Sequence, residues 1–512
     1  MSLNLAFILR ESAAAKPNKP ALLLDGFRMT YRELDAATDA VAANLRAAGV
    51  ERGQSVGLML PNVPQFPIAY YGLLKAGAVV VPMNPLLKAG EIEHYLGDSD
   101  ARALITWGGS AAEALEGAGK VGGIETYVVS PPGGGTPEGA RSFDALLRPG
   151  GGFDMEPTNA DDTAVLLYTS GTTGRPKGAE LTHFNLFMNC HVVGLLFGVE
   201  DDDVILGMLP LFHAFGQSSV MNIVIHFGAT LTLLPRFEPG KALEMIQRDR
   251  VTVFSGVPTM FFALLNHPEL HRYDISSLRV ASSGGASLPA EVLDAFEKRF
   301  GVAILEGYGL SETSPTVTFN RSVADRKVYS IGKPIWGVET KVFDTEEREL
   351  PPGEDNVGEI VVRGHAVMKG YYKNPEATAE AMRGGWFHTG DLGYRDEDGF
   401  LFIVDRKKEL IIRGGFNVYP REVEEVLYSH PAVAEAAVIG TPDERLGEEV
   451  TAVVALKGGQ QVSEEDLIAY AKERLAAYKY PRRVRFMESL PKGATGKIAK
   501  KELKAALVEA EA

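Results

Sequence analysis

The chain has 512 residues, 45% of them hydrophobic and 23% charged, which is the composition of a globular protein with room for roughly three or four folding units. Its 52 Lys and Arg against 67 Asp and Glu leave a net charge of -15, so nucleic acid is not an expected partner and any anionic ligand needs a specific local site. A single cysteine, Cys190, excludes an intrachain disulfide and a cysteine-based metal cluster, and fits a reducing, cytoplasmic setting.

The first ten residues carry no basic stretch ahead of their short apolar run, so no signal peptide is expected. The apolar runs at 204–206 and 220–225 are interrupted far short of bilayer-spanning length, so no transmembrane segment is expected either. Thr30-Tyr31-Arg32-Glu33 reads as a capping box that starts a helix, with Leu34, Val41, Leu45 and Ala48 as its inward stripe. An apolar run at 56–60, a helical segment ending at Lys75, and runs at 78–82 and 103–106 follow. Strands separated by helical segments predict an α/β sheet with helical crossovers. Gly- and Pro-rich stretches at 131–139 and 149–152 read as exposed loops, because the α/β pattern resumes after them.

Residues 166–178 read Leu-Leu-Tyr-Thr-Ser-Gly-Thr-Thr-Gly-Arg-Pro-Lys-Gly, an apolar strand running into a loop rich in hydroxyls and glycine, with a helix expected from His183. Gly171 and Gly174 let backbone N–H groups approach an anion, Thr169, Ser170, Thr172 and Thr173 add donors, and Lys177 supplies countercharge. That is the chemistry of a triphosphate cradle, although the Gly-x4-Gly-Lys-[Ser/Thr] spacing of the commonest nucleotide loop is absent. Strand-like runs recur at 251–254, 278–281 and 302–305. Past the last of these comes Gly307-Tyr308-Gly309-Leu310-Ser311-Glu312-Thr313, where an aromatic ring can stack on a base and a carboxylate offers the hard oxygen that Mg²⁺ prefers.

From about Val357 the pattern becomes strand-rich, with a hairpin signal at Asp398-Gly399 between strands at 392–395 and 400–404. Thr389-Gly390-Asp391-Leu392-Gly393 puts a carboxylate where it can accept from two hydroxyls. The last hundred residues mix helices at 421–428 and 464–475 with strands at 433–439 and 450–456, and a boundary falls near Asp405. From Arg406 onward there are 18 basic and 17 acidic residues, against 34 and 50 before it, a contrast that an ordinary solvated surface explains as well as a site for anions does.

The loop at 166–178, together with Ser283-Gly284-Gly285-Ala286, the 307–313 and 389–393 segments, Asp405 to Pro420 and Pro491-Lys492-Gly493-Ala494-Thr495-Gly496-Lys497-Ile498, resembles the ordered signatures of the adenylate-forming superfamily, in its acyl-CoA synthetase branch. The resemblance covers nearly the whole chain. It implies an α/β fold: a large N-terminal domain of several subdomains over residues 1–404, holding ATP and the acyl group, and a small mobile α+β lid over 405–512. Asp405 would be the hinge between them.

By the same resemblance Tyr308 packs on adenine and Glu312 holds Mg²⁺ with Thr169 nearby. Asp391 binds the ribose hydroxyls, and Arg406 the ribose or phosphate. Gly285, Ala286, Glu306, Gly307, Gly309 and Thr313 complete the nucleotide site. Lys497 is the catalytic lysine, bridging the substrate carboxylate and the α-phosphate. Gly414 and Gly415 leave room for the pantetheine arm of coenzyme A. His213, Phe215, Gly216, Gly284 and Gly309 line the acyl pocket, with His213 as a gate or base. ATP, Mg²⁺ and coenzyme A are the implied cofactors, and a homodimer is left open.

Amino-acid-activating relatives place an aspartate in the region of Pro210 to Gln217, and none stands between Leu209 and Ile223 here. An acid without an α-amine is therefore expected, and the apolar neighbours suggest a medium- or long-chain fatty acid. An aryl (4-coumarate-like) acid, a carrier-protein acceptor and a luciferase-like oxygenase are the alternatives. Glu409 and Lys500 depart from the family's usual Asp and Arg while keeping charge.

Overall fold

A computed structural model describes residues 2–131, 133–149, 152–169, 175–443, 445–493 and 495–511, with the side chains of the last helix described as far as 507. Among these residues the strands form four sheets.

One sheet runs, edge to edge, through Gly370–Tyr371, Lys177–Thr182, Thr163–Thr169, Val79–Pro82, Ser55–Met59, Ala103–Trp107, Glu125–Val129 and Arg141–Ser142. Its core is parallel, and the strand pair Thr163–Thr169 and Lys177–Thr182 turns antiparallel at the edge. A second large sheet has the parallel core Thr230–Leu233, Val204–Gly207, Val253–Gly256, Val280–Ser283 and Ile304–Gly309. Helices cover both, as crossover connections between parallel strands require. One apolar core joins the two sheets. The third sheet is the antiparallel meander Val338–Phe343, Gly358–Gly364, Phe387–Arg395 and Leu401–Arg406. The C-terminal sheet, built on the long hairpin Val433–Asp443 and Gly447–Leu456, packs Pro420–Tyr428 and Glu464–Lys472 around a core of its own. The chain is thus a large N-terminal α/β unit followed by a small α+β unit.

Local chemistry sets the element ends. Thr30 Oγ1 accepts from Glu33 N and Glu33 Oε2 accepts from Thr30 N at 2.7 Å, so the helix Tyr31–Ala47 starts where the capping box places it. Leu34, Val41 and Leu45 are fully buried. Ala48, expected on the same stripe, is instead the C-cap and half-buried, because the helix ends one residue before it. Thr182 and Asn185 cap His183–Phe197 in the same reciprocal way, which fixes the helix directly after the strand Lys177–Thr182.

Two local expectations change. The strand expected at 302–305 starts later and continues through the Gly-Tyr-Gly motif as Ile304–Gly309, paired antiparallel with Thr316–Phe319. A Cβ on Gly309 would lie 1.8 Å from the Pro315 carbonyl oxygen, so only glycine lets these backbones approach. Gly309→Ala should cost about 3 kcal/mol or more, seen as a lower thermal midpoint. Gly90→Ala, in a helix where an added Cβ meets nothing within 4 Å, should instead raise the midpoint slightly. The second concerns Gly414 and Gly415, expected to leave room for a pantetheine arm. They are the turn of a hairpin between Ile411–Arg413 and Phe416–Val418, with φ of +58° and +85°, the two-residue turn that glycine favours.

Candidate active site

The site lies where the carboxyl ends of the parallel strands in the second sheet meet the antiparallel edge of the first, which is where open α/β sheets hold ligands. Thr169 ends one strand and Lys177 begins the next, directly opposite in register. Ser170, Gly171, Thr172, Thr173 and Gly174, which form the loop between them, lie outside the described residues. Glu312 stands in the short turn Ser311–Thr313. Its Oε1 accepts from Thr169 Oγ1 and from Tyr371 Oη, each at 3.0 Å. Lys177 Nζ sits 5.3 Å from the centre of the Tyr371 ring. A carboxylate, two hydroxyls and an ammonium therefore flank the loop expected to hold phosphates.

On the other side Asp391, 3% exposed, accepts from Tyr308 Oη at 2.5 Å and pairs with Arg406 Nε at 3.0 Å. Burial raises the Asp391 pKa while Arg406 pulls it down. Burial, then Asp391, pushes the Tyr308 phenol well above its ordinary range. Lys497 reaches this group from the C-terminal unit: a Cβ on Gly285 would lie 2.9 Å from its Cε. Thr259 Oγ1 donates to Gly496 O at 2.8 Å, anchoring the loop that carries it. Burial, then the positive charge of Arg406, lowers the Lys497 pKa to about 8.

That value sets a pH dependence. The free-enzyme lysine is protonated below about pH 8 and loses its charge above it, so, on the catalytic role that the motif resemblance implies for Lys497, kcat/KM for ATP should fall as pH rises through about 8. The limb should move upward in kcat, because bound phosphates favour the charged form. Lys497→Arg should remove the limb, and pH profiles of acid-dependent pyrophosphate release check both.

The same cavity, of about 800 Å³, extends past His213, Phe215, Gly284 and Gly309 to Phe197 and Phe319. His213 Nδ1 accepts from Phe215 N at 3.3 Å. Burial, then the Lys497 charge, lowers its pKa to about 3, which leaves a neutral ring and a weak base. Phe215, Ser219 and Ile223 follow at four-residue steps on one wall. The helix widens to a π-type turn over Gln217–Asn222, a local feature that keeps residues four apart on one face.

Several expected residues lie outside the cavity lining. Glu306 does not line the cavity. Burial raises its pKa to about 7, while Arg421 of the C-terminal unit pulls it down and Glu425 adds to the rise. Thr313 is buried and turned inward, donating to Pro315 O at 2.5 Å, and Gly216 packs tightly on Pro210. Ala286 is exposed beside the cavity. Gly414 and Gly415 are exposed on their hairpin turn and away from the cavity lining. Asp405, near the end of Leu401–Arg406, accepts from Arg406 N at 2.6 Å and Arg421 N at 3.0 Å. It thereby caps the helix that opens the C-terminal unit, and burial raises its pKa to about 6. Glu409 and Lys500, the two departures noted in the sequence, pair with each other at 3.3 Å.

Residues 9–372 match the model of the AMP-binding enzyme family, and residues 422–497 match that of the AMP-binding enzyme C-terminal domain. The chain belongs to the AMP-binding enzyme family. It is an acid–thiol ligase of the AMP-forming acyl-CoA synthetase kind, in the adenylate-forming superfamily its motifs resemble. It is 40% identical to a long-chain-fatty-acid–CoA ligase of Bacillus subtilis, over 97% of this chain and 93% of that one. It is also 39% identical to a feruloyl-CoA synthase of an Amycolatopsis species, over 96% of each. The crystal structure of an anthranilate CoA ligase in complex with anthranoyl-AMP superposes with a TM-score of 0.93 at 31% identity, over 99% of this chain and 98% of that one.

The sequence reading overlooked Tyr371, whose hydroxyl completes the Glu312 cluster. Its signal was available in Gly370-Tyr371-Tyr372, a glycine and two aromatics just ahead of the Asn-Pro helix start at Asn374-Pro375.

Proposed function

We propose that an acid's carboxylate oxygen attacks the α-phosphorus of ATP in this cavity, releasing pyrophosphate and leaving an acyl-AMP. The thiol of coenzyme A then attacks the acyl carbon, and AMP departs. The observation that carries the residue assignment is the position of Lys497. A lysine near the end of the chain is brought beside Gly285 and the Asp391–Arg406 pair, where one cation can touch both a carboxylate and a phosphate.

In this reading Lys497 aligns the two anions and offsets the charge that grows at the reacting phosphorus. Asp391 holds the ribose, with Tyr308 and Arg406 fixing its carboxylate and the Tyr308 ring facing the base. Lys177 and the loop before it hold the outer phosphates. The Glu312 carboxylate and Thr169 hydroxyl, 3.0 Å apart, suit Mg²⁺, which takes one or two protein oxygens and draws the rest from phosphates and water. Bound there, it would neutralise phosphate charge. The weak basicity of His213 favours a packing or gating role over proton abstraction.

Lys497 serves the first half-reaction and Gly414–Gly415 the second, and both cannot occupy one cavity. Rotation of residues 405–512 against 1–404 about Asp405 would exchange them. The exposed glycine turn has no bulky side chain to obstruct a pantetheine arm.

A medium- or long-chain fatty acid is the first reading of the substrate, supported by the apolar end at Val193, Phe197, Ile223 and Phe319 and by the Bacillus relative. An aryl acid is the second, favoured by an aromatic lining in which the Phe197 and Phe319 rings pack tilted against each other at 5.4 Å, and by the Amycolatopsis relative. Acid-dependent pyrophosphate release, measured over a panel of carboxylic acids with and without coenzyme A, tests the reading. AMP and acyl-CoA formation that requires coenzyme A supports it. Activity only with a carrier protein, or consumption of O₂, would replace it.

A further inference from the structure

Part of the lining of the acyl cavity is made of hydroxyls. Ser255 and Ser282 sit side by side on adjacent parallel strands, and Ser282 Oγ donates to Ser255 Oγ at 2.8 Å. Ser283 follows at the strand end, 2% exposed, and its Oγ has no hydrogen-bond partner in the protein. Across the cavity Ser219 and Thr316 make only a long contact, 3.4 Å between oxygens. All five line the cavity that also contains Phe215 and Phe319.

Buried hydroxyls are paired in nearly every folded protein. A cavity meant for bare hydrocarbon gains nothing from this wall, because an alkyl chain lying against it would leave Ser283 unpaired and offer the Ser255 hydroxyl no acceptor. The relay also has an open end: Ser282 gives its proton to Ser255, and the Ser255 proton is left to find an acceptor in the cavity. An occupant with an oxygen at this depth satisfies both groups. The apolar residues of the same lining, Phe215 and Phe319 among them, then hold its carbon body.

We infer that the substrate acid carries, besides its carboxylate, a hydroxyl or ether oxygen on its apolar body, held by Ser283 and the Ser255–Ser282 pair. The inference rests on the ligase reading above and narrows its substrate. Two sources share this chemistry, a hydroxylated alkyl acid and a phenolic or methoxylated aryl acid. Sites built to hydrogen-bond a substrate oxygen reject the analogue that lacks it far more strongly than apolar pockets sort by size.

The test uses matched pairs in coenzyme A-dependent AMP release: decanoate against hydroxydecanoates, and 3-phenylpropanoate against its hydroxyl and methoxyl derivatives. The wild-type enzyme should prefer the oxygenated member of at least one series by about tenfold or more in kcat/KM. The series that shows the preference identifies the carbon body. The double variant Ser282→Ala, Ser283→Ala should bring that ratio to about one. No preference in either series would overturn the inference. So would a double variant that lowers both members of a pair equally, which would assign the hydroxyls to the nucleotide or to the fold. A wild-type enzyme that releases AMP with coenzyme A from no acid in a broad panel would refute the ligase reading itself, a result distinct from loss of the preference alone.

Discussion

Lys497→Ala should slow acyl-adenylate formation by about 100- to 1000-fold, the range seen when one preorganised electrostatic stabiliser is lost, while thioester formation from supplied acyl-adenylate barely changes. The lysine is the only cationic group of the C-terminal loop that reaches the cavity among the described residues, and the loop is anchored through Gly496 rather than through the lysine itself. Removing the side chain therefore takes away charge and alignment without loosening the loop. Single-turnover measurement of pyrophosphate release gives the first rate. AMP release from synthetic acyl-adenylate with coenzyme A gives the second. Equal losses in both would show that Lys497 serves the whole cycle, against the proposed division between two lobe orientations.

Asp391→Ala should lower kcat/KM for ATP by about 100-fold or more, because two effects coincide. The ribose loses its acceptor, and Tyr308 and Arg406 lose the carboxylate that joins them. The fold should suffer less, by about 2 kcal/mol, since Arg406 is 46% exposed and water can take over part of its solvation. Tyr308→Phe removes one charge-assisted hydrogen bond and leaves the ring, so a loss of about tenfold is expected. Isothermal titration with ATP separates these outcomes. Asp391→Ala binding ATP as well as the wild type would remove Asp391 from the nucleotide site.

The parts of this architecture that were legible in the sequence are those set by local rules. Capping residues fixed the starts of Tyr31–Ala47 and His183–Phe197, and the Asp398-Gly399 pair marked the hairpin between Phe387–Arg395 and Leu401–Arg406. The parallel strands at Val253, Val280 and Ile304 begin two residues later than their apolar runs, because the first apolar residues of each run pack in the connection before the strand pairs.

Residue roles were legible where a motif has one dominant chemistry, as at Glu312 or Asp391. They were less so where one glycine-rich segment can serve two purposes. Gly414 and Gly415 are required first by the positive φ of a hairpin turn, whatever else they do. Glu306 and Thr313 belong to a motif by position, yet strand alternation and a tight turn point them away from the cavity. Tyr371 and the serine wall were not apparent, because each is assembled from segments far apart in the chain. Ser219, Ser255, Ser282 and Thr316 acquire meaning only once the sheet sets them around one space.

Everything proposed for the site depends on a carboxylate oxygen meeting the innermost phosphorus of ATP between the two units. An acid labelled with oxygen-18 in its carboxylate, turned over with ATP and coenzyme A, tests this by mass analysis of the nucleotide product. AMP that carries one labelled oxygen from the acid is the predicted result. Unlabelled AMP, or label found instead in inorganic phosphate beside ADP, would contradict it.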